Sequence, residues 1–181
     1  MIIAERAADF ENGLKVLARL APVFLCKAPG VSPAGEGVAG VTSEAFAGPH
    51  PAGLPGTHIH FLDPVSTNKT VWTINYQDVI AAGKLFVSGQ LSVERVVALA
   101  GPVVERPRLL RTRLGANLSE LTAGELVPGN NRVVSGSLLG GRVARGACDY
   151  LGRYHVQVSC LQEGNDREVM HYLRAGVNKH S

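Results

Sequence analysis

The segment from Pro49 to Gly56 holds three prolines and two glycines, so no strand or helix can run through its length. It forces a break, and the residues beyond it declare their own structure. Val71–Ile74 (VWTI) reads as a short strand. Asn75 then offers a side-chain oxygen to the first amides of a helix, and Asp78 lies in the first turn, where a carboxylate meets the positive helix end. Tyr76, Val79, Ile80, Gly83 and Phe86 fall on one face of that helix, and Gly89 suits its C-terminal cap. Strand, cap and helix in this order make the clearest α/β unit in the chain.

The N-terminal residues give a second one. Ile3, Ala7, Phe10, Leu14, Leu17 and Ala21 recur in steps of four and three, which predicts one helix over residues 3–21, stopped by Pro22. Val23–Lys27 (VFLCK) reads as a buried strand. Helix followed by buried strand is half of a βαβ unit without its leading strand, the first pointer to a truncated domain. Pro29–Gly40 reads as loop, and Ser43–Ala47 as another short extended piece. Thr57–Leu62 suits either a helix turn or a strand, since periodicity does not decide.

The texture changes after Gly89. Val93–Leu99, Arg108–Arg113, Arg132–Leu138 and Val156–Leu161 read as strands. Gly140-Gly141 makes a turn. Between the second and third strands, Asn117 and Glu120 have the spacing of a capping box for a short helix. Strand, strand, helix, strand is the order of a small β-grasp module, and the boundary between the two halves lies near Gly89–Ser92.

Composition narrows the function classes. With 181 residues, 45% apolar and 18% charged, the chain is globular and suits one compact domain or two small ones. A net charge of +3 is too small to argue for nucleic acid. Arg106, Arg108, Arg111 and Arg113 are its densest basic run. They lack interleaved aromatics and read as a solvated strand edge. No apolar run approaches the roughly 18–20 residues of a membrane span, so association with a membrane is expected to run through partner proteins. The opening residues carry acids and no basic region of a secretory signal. Cys26, Cys148 and Cys160 are odd in number and form no C-x-x-C, as expected of reduced thiols. Cys148, beside Asp149, is the expected exposed one.

Several motifs invite chemistry. Gly35–Gly40 is a literal G-x-G-x-x-G, but it follows the strand at a distance and no amphipathic helix opens after it, so it reads as surface loop. His58 and His60 would share a face if their segment were a strand, with His50 or Asp63 as a third metal ligand. No acidic or cysteine cluster completes that set. Histidines bonded to loop carbonyls, fixing the proline-rich turn, are the stronger reading. Ser135-Gly136-Ser137 and Ser88-Gly89 lack the frame of a nucleophile elbow, and Asp63, Asp78 and Asp149 stand alone, not as an acid–base pair. Tyr150, Tyr154 and His155 surround Gly152-Arg153 as an aromatic and basic patch suited to a strand end, a partner subunit or a quinone head group.

The phrase GPHPAGLPGTHIHFLDPV followed by INYQDVIAAGKLF resembles the alpha subunit of the bacterial sodium-translocating NADH:quinone reductases. GLKVLARL, RVVALAGPVVERPRLLRTRLGA, RVVSGSLLGG and YLGRYHVQVS continue the family pattern in family order. The resemblance implies a central fragment of a longer subunit: the C-terminal part of a Rossmann-like α/β domain over residues 1–90, truncated on its N-terminal side, then an α+β β-grasp (SLBB-like) domain with trailing strands over 91–181. It further implies a peripheral subunit on the cytoplasmic face of the bacterial inner membrane. That subunit would have a structural and interface role, contribute to quinone access, and hold no catalytic residue, metal or cofactor of its own. The complex would use NADH, flavins, iron–sulfur, quinone and sodium, and the partners would be its other subunits, above all the membrane ones, with no nucleic acid. The signature-loop and interface candidates are His50, Gly53, His58, His60, Asn75, Asp78, Tyr150, Tyr154 and His155. Two other classes stay open: a nucleotide- or flavin-binding oxidoreductase domain, and a stand-alone β-grasp module for a small ligand or polypeptide.

Overall fold

The computed structural model describes residues 2–164 and 170–173. Backbone contacts divide it into two compact units that meet in sequence at Val93 and Glu94.

The first unit is α/β. Its elements are α1 (Ile2–Glu5), α2 (Ala7–Leu17), β1 (Val23–Lys27), β2 (Val41–Ala45), α3 (Pro55–Leu62) and α4 (Tyr76–Ser88). β1 and β2 pair in parallel, Val23 opposite Val41 and Lys27 opposite Ala45, the pairing expected of a Rossmann-like domain. Phe10 and Leu14 of α2 pack on Val79 and Ile80 of α4, with Val23, Leu25 and Val41 of the strands against the cluster. The helices cross almost backbone to backbone. A Cβ on Gly83 would stand 1.8 Å from the Asp9 carbonyl oxygen, and one on Gly13 would stand 2.0 Å from that of Val79. Only hydrogen fits at either position.

The expected helix over residues 3–21 is shorter and broken. Arg6, at φ −127° and ψ 36°, separates α1 from α2. The helix unwinds after Leu17 through i→i−3 bonds from Arg19 and Leu20, a tightened last turn ahead of Pro22. Val71–Ile74 is not a strand. It has no neighbour in a sheet that contains only β1 and β2, and it leaves Trp72 88% exposed. Propensity without a pairing edge or a face to bury does not make a strand. On α4 the buried positions are Gln77, Val79, Ile80 and Gly83, whereas Phe86 is largely exposed, so the helix is rotated from the face assigned by pattern.

The second unit contains β3 (Glu94–Ala100), β4 (Arg108–Arg113), α5 (Leu118–Leu121), β5 (Asn131–Ser135), β6 (Arg142–Val143) and β7 (Gln157–Gln162). The sheet order is β4-β3-β7-β5-β6. The first and last strands lie side by side in parallel, each flanked by an antiparallel neighbour. That is the β-grasp arrangement. β3 alternates, with Arg95, Val97 and Leu99 buried. Its core combines Val97, Leu99, Leu118, Leu151, Val158 and Cys160. Gly101, at φ +136°, follows β3 where any Cβ would strike the Cys160 carbonyl oxygen at 1.8 Å. The arginine-rich β4 is an edge strand. Arg108 donates to both carboxylate oxygens of Glu125 at 2.7 and 2.6 Å, which holds that carboxyl below its ordinary pKa. Arg111 pairs with Glu94 at 2.8 Å. Charged edges of this kind resist further strand pairing.

Candidate functional site

The sequence-derived candidates fall into two clusters, one in each unit. In the first unit, Thr57–Leu62 is helical, with Pro55 in its first turn. His58 and His60 are therefore about 200° apart around α3 and do not face a common ion. The His58 Nε2–H donates to the Ala52 carbonyl at 2.9 Å, and because a carbonyl only accepts, that nitrogen carries the hydrogen. Its ring lies 4.3 Å from that of Phe46 at a 40° tilt. Thr57 Oγ1 donates to the Pro51 carbonyl, and the amides of Ala52 and Leu54 bond back to Pro49 and Pro51, all at 2.9 Å. His58 is thus a tie across a proline-rich turn. His50 and Gly53 are exposed within that turn, and His60 is exposed on α3, edge-on to Phe61. Among the described residues no group of three or more His, Cys, Asp or Glu side chains stands close enough to hold a metal ion.

Asn75 caps α4, its side-chain oxygen accepting the Gln77 amide at 2.8 Å. Asp78 lies half-buried in the first turn, and Gly89 closes the helix in the left-handed conformation at φ 70°. These residues position α4 against α2 and belong to the scaffold.

The glycine triplet Gly35–Gly40 lines an open groove of about 850 Å³ with Glu11 and Lys15 of α2 and Arg19 just beyond it. Gly35 and Gly40 let the loop lie on that helix: their Cβ atoms would meet Leu14 at 2.5 Å and Ala18 at 3.2 Å. The loop runs into β2 and not into a helix. The geometry that aims amides at a pyrophosphate is therefore absent there.

In the second unit, Tyr150 and Tyr154 are exposed, and the Arg153 guanidinium sits 5.2 Å from the centre of the Tyr154 ring. His155 turns inward. Its Nδ1 lies 2.8 Å from Ser135 Oγ, which also accepts the Gly152 amide at 2.9 Å. With one hydrogen and two lone pairs, the Ser135 hydroxyl bridges the Gly152 amide and the His155 ring. Ser135 is fully buried, so this serine–histidine pair is closed to a substrate. It ties the end of β5 to the segment that holds Gly152 and His155. Three glycines make room: a Cβ on Gly152 would lie 2.4 Å from His155 Nδ1, one on Gly136 would lie 3.0 Å from the same ring, and one on Gly141 would lie 2.5 Å from the Ser135 carbonyl oxygen.

The thiols sort by depth. Cys148 is exposed, Cys26 half-buried and Cys160 buried. Burial pushes the Cys160 thiol up to about 11. Burial first, then the Glu44 carboxylate, raises Cys26.

Comparison with known proteins decides the family. Residues 1–91 match the NqrA second alpha/beta domain, and residues 96–146 match the NQRA C-terminal domain. The chain belongs to the NqrA family. All of it aligns with the NqrA subunits of Na(+)-translocating NADH-quinone reductases. It is 71% identical to that of Pseudomonas aeruginosa strain UCBPP-PA14, 62% to that of Cellvibrio japonicus and 57% to that of Neisseria gonorrhoeae. In each case it spans 41% of the relative's length.

Within the NqrA frame, the alpha/beta match lies in the first unit and the C-terminal-domain match in the second. Sequence reasoning missed Ser135 as the partner of His155, having weighed it only as a nucleophile. The signal available was a run of serines and glycines at a strand end, Ser135–Ser137, with Gly140 and Gly141 close behind. It also missed β6, whose two residues carry no period.

Proposed function

We propose that this chain acts as part of a peripheral, cytoplasmic-side subunit of a sodium-pumping NADH:quinone oxidoreductase. Its role is structural: it presents interfaces to the membrane subunits and contributes to quinone access, and it carries no redox centre of its own. NADH, flavins, iron–sulfur, quinone and sodium are used elsewhere in the complex. The observation that carries the proposal is 71% identity over the whole chain to the NqrA subunit of such a reductase. The geometry supports a scaffold: His58, Asn75 and His155 are each engaged in ties that fix loops or helix ends, and the glycine triplet packs on α2. The reading extends to the roles expected of His50, Gly53, His60, Asp78, Tyr150 and Tyr154 as signature-loop and interface positions.

The test is a tagged pull-down from detergent-solubilised membranes of a bacterium carrying the complex, read by mass spectrometry against a scrambled bait. Recovery of the reductase membrane subunits is the expected result. NADH oxidation by the purified chain alone would sink the scaffold reading.

A further inference from the structure

We infer that the turn between β5 and β6, with the neighbouring segment 150–154, docks directly on an anionic lipid surface. At its tip Leu138 is 62% exposed and Leu139 102% exposed. The turn is built: the Gly141 amide bonds the Ser137 carbonyl at 2.8 Å, and the Gly140 amide bonds Ser137 Oγ at 3.0 Å. The adjoining segment is fastened to it. Arg142 donates to the Tyr150 carbonyl at 3.1 Å, and the buried Ser135 holds both the Gly152 amide and His155. Tyr150 and Tyr154, the latter 80% exposed, are therefore carried on a segment fastened to the base of the leucine turn.

The charge suits an acidic partner surface. Residues 136–155 carry Arg142, Arg145 and Arg153 against one carboxylate, Asp149, which accepts a 2.5 Å bond from Ser119. The shape suits lipid better than protein. A stable protein contact covers roughly 800 Å² on each side with a complementary patch, whereas two adjacent leucines on a glycine-flanked turn form a narrow wedge. A bilayer accepts a wedge, since apolar burial grows with insertion depth. Tyrosines prefer the headgroup level, and arginines meet anionic headgroups. The inference does not depend on the subunit reading, because it concerns the lipid affinity of the chain alone.

The experiment is co-sedimentation of the 181-residue chain with vesicles of phosphatidylcholine alone, and with vesicles of phosphatidylcholine and phosphatidylglycerol in equal parts. Binding to the mixed vesicles is expected, weakening with added salt and in Arg145→Gln. The double variant Leu138→Ser/Leu139→Ser should bind about tenfold or more weakly and keep the parent melting temperature, since both side chains are in water. Leu20→Ser, at a residue 79% exposed in the other unit, should bind as the parent does. No sedimentation with the mixed vesicles, equal sedimentation with both kinds, or undiminished binding of the double leucine variant would overturn the inference. The first of these is the result for a tip that serves a protein contact.

Discussion

Replacing Gly83 with alanine should destabilise the first unit although alanine is the better helix former. The added Cβ would lie 1.8 Å from the Asp9 carbonyl oxygen and 2.6 Å from the Gly13 amide nitrogen. Both are backbone atoms of α2, with no rotamer to move aside. Restoring a tolerable contact near 3 Å requires the helices to separate by about 1.2 Å at the crossing. A gap of about 1 Å forfeits up to half of a van der Waals well for each atom pair, and the pairs affected include Phe10, Leu14, Val79 and Ile80, the core of this unit. Overpacking of this kind costs about 3 kcal/mol, the upper end of its usual range, and the helix propensity of alanine returns about 1 kcal/mol. The net loss of about 2 kcal/mol lowers the folding equilibrium roughly 30-fold and the melting temperature of a unit this size by about 8–16 °C. Urea titration followed by far-UV circular dichroism is the suitable assay, because the exposed Trp72 is a poor reporter of the core. Gly56→Ala is the control: Gly56 sits in α3 with nothing within 4 Å of its Cβ position, so alanine there should be neutral or stabilising by up to about 1 kcal/mol. A Gly83→Ala chain as stable as the parent would refute the crossing geometry. Once Gly83→Ala has parted the helices, Gly13→Ala should cost less than it does alone.

Three further outcomes follow from single residues. Asn75→Ala removes the oxygen that accepts the Gln77 amide and should cost about 1 kcal/mol in the same titration, while Asn75→Asp should be close to neutral. Ser135→Ala strands the buried Gly152 amide and removes the hydroxyl bonded to His155, so a loss of about 1–3 kcal/mol is expected, with a change in the His155 ring signals by NMR. The Cys160 thiol is raised from 9.0 to about 11 by burial, so the folded state favours its protonated form. Its contribution to stability is complete below pH 9 and falls away as pH rises from about 9 to about 11, where the unfolded thiol ionises first. Thermal melts across that range should show the decline, and Cys160→Val should flatten it.

Where the deciding interaction is local, the sequence displays it. Asn75 and Gly89 bracket α4, and Asn117 accepts the Glu120 amide at 2.9 Å at the start of α5, because a cap bonds to amides two or three residues away. β3 lies within one residue of the stretch expected of it, and β1 and β4 run over the residues expected of them. Where the interaction is distant, the sequence is silent. VWTI has the composition of a strand, yet whether it becomes one depends on an edge that this unit does not offer it. Whether His58 and His60 face together depends on a helix begun by Pro55, and the same six letters would alternate in a strand. Ser135 and His155 are 20 residues apart, and no spacing rule connects them.

The glycines divide along the same line. Gly89 and Gly101 can be anticipated from their places after a helix and after a strand, where the chain turns with positive φ. Gly13 and Gly83 sit inside helices, where glycine lowers helix propensity, and read alone they look like faults. They are explained only by each other. Two weak positions, far apart in sequence, meet where α2 and α4 cross, and the local cost at each permits a backbone contact that any side chain would prevent. A helical glycine with no turn to make is thus informative about packing, provided a second one can be found on the helix that faces it. The same logic places Gly136, Gly141 and Gly152 around the His155 ring and the buried Ser135. Substituting any of them should disturb the segment that carries the tyrosines, since the enclosed Ser135 hydroxyl fastens Gly152 and His155 to the end of β5.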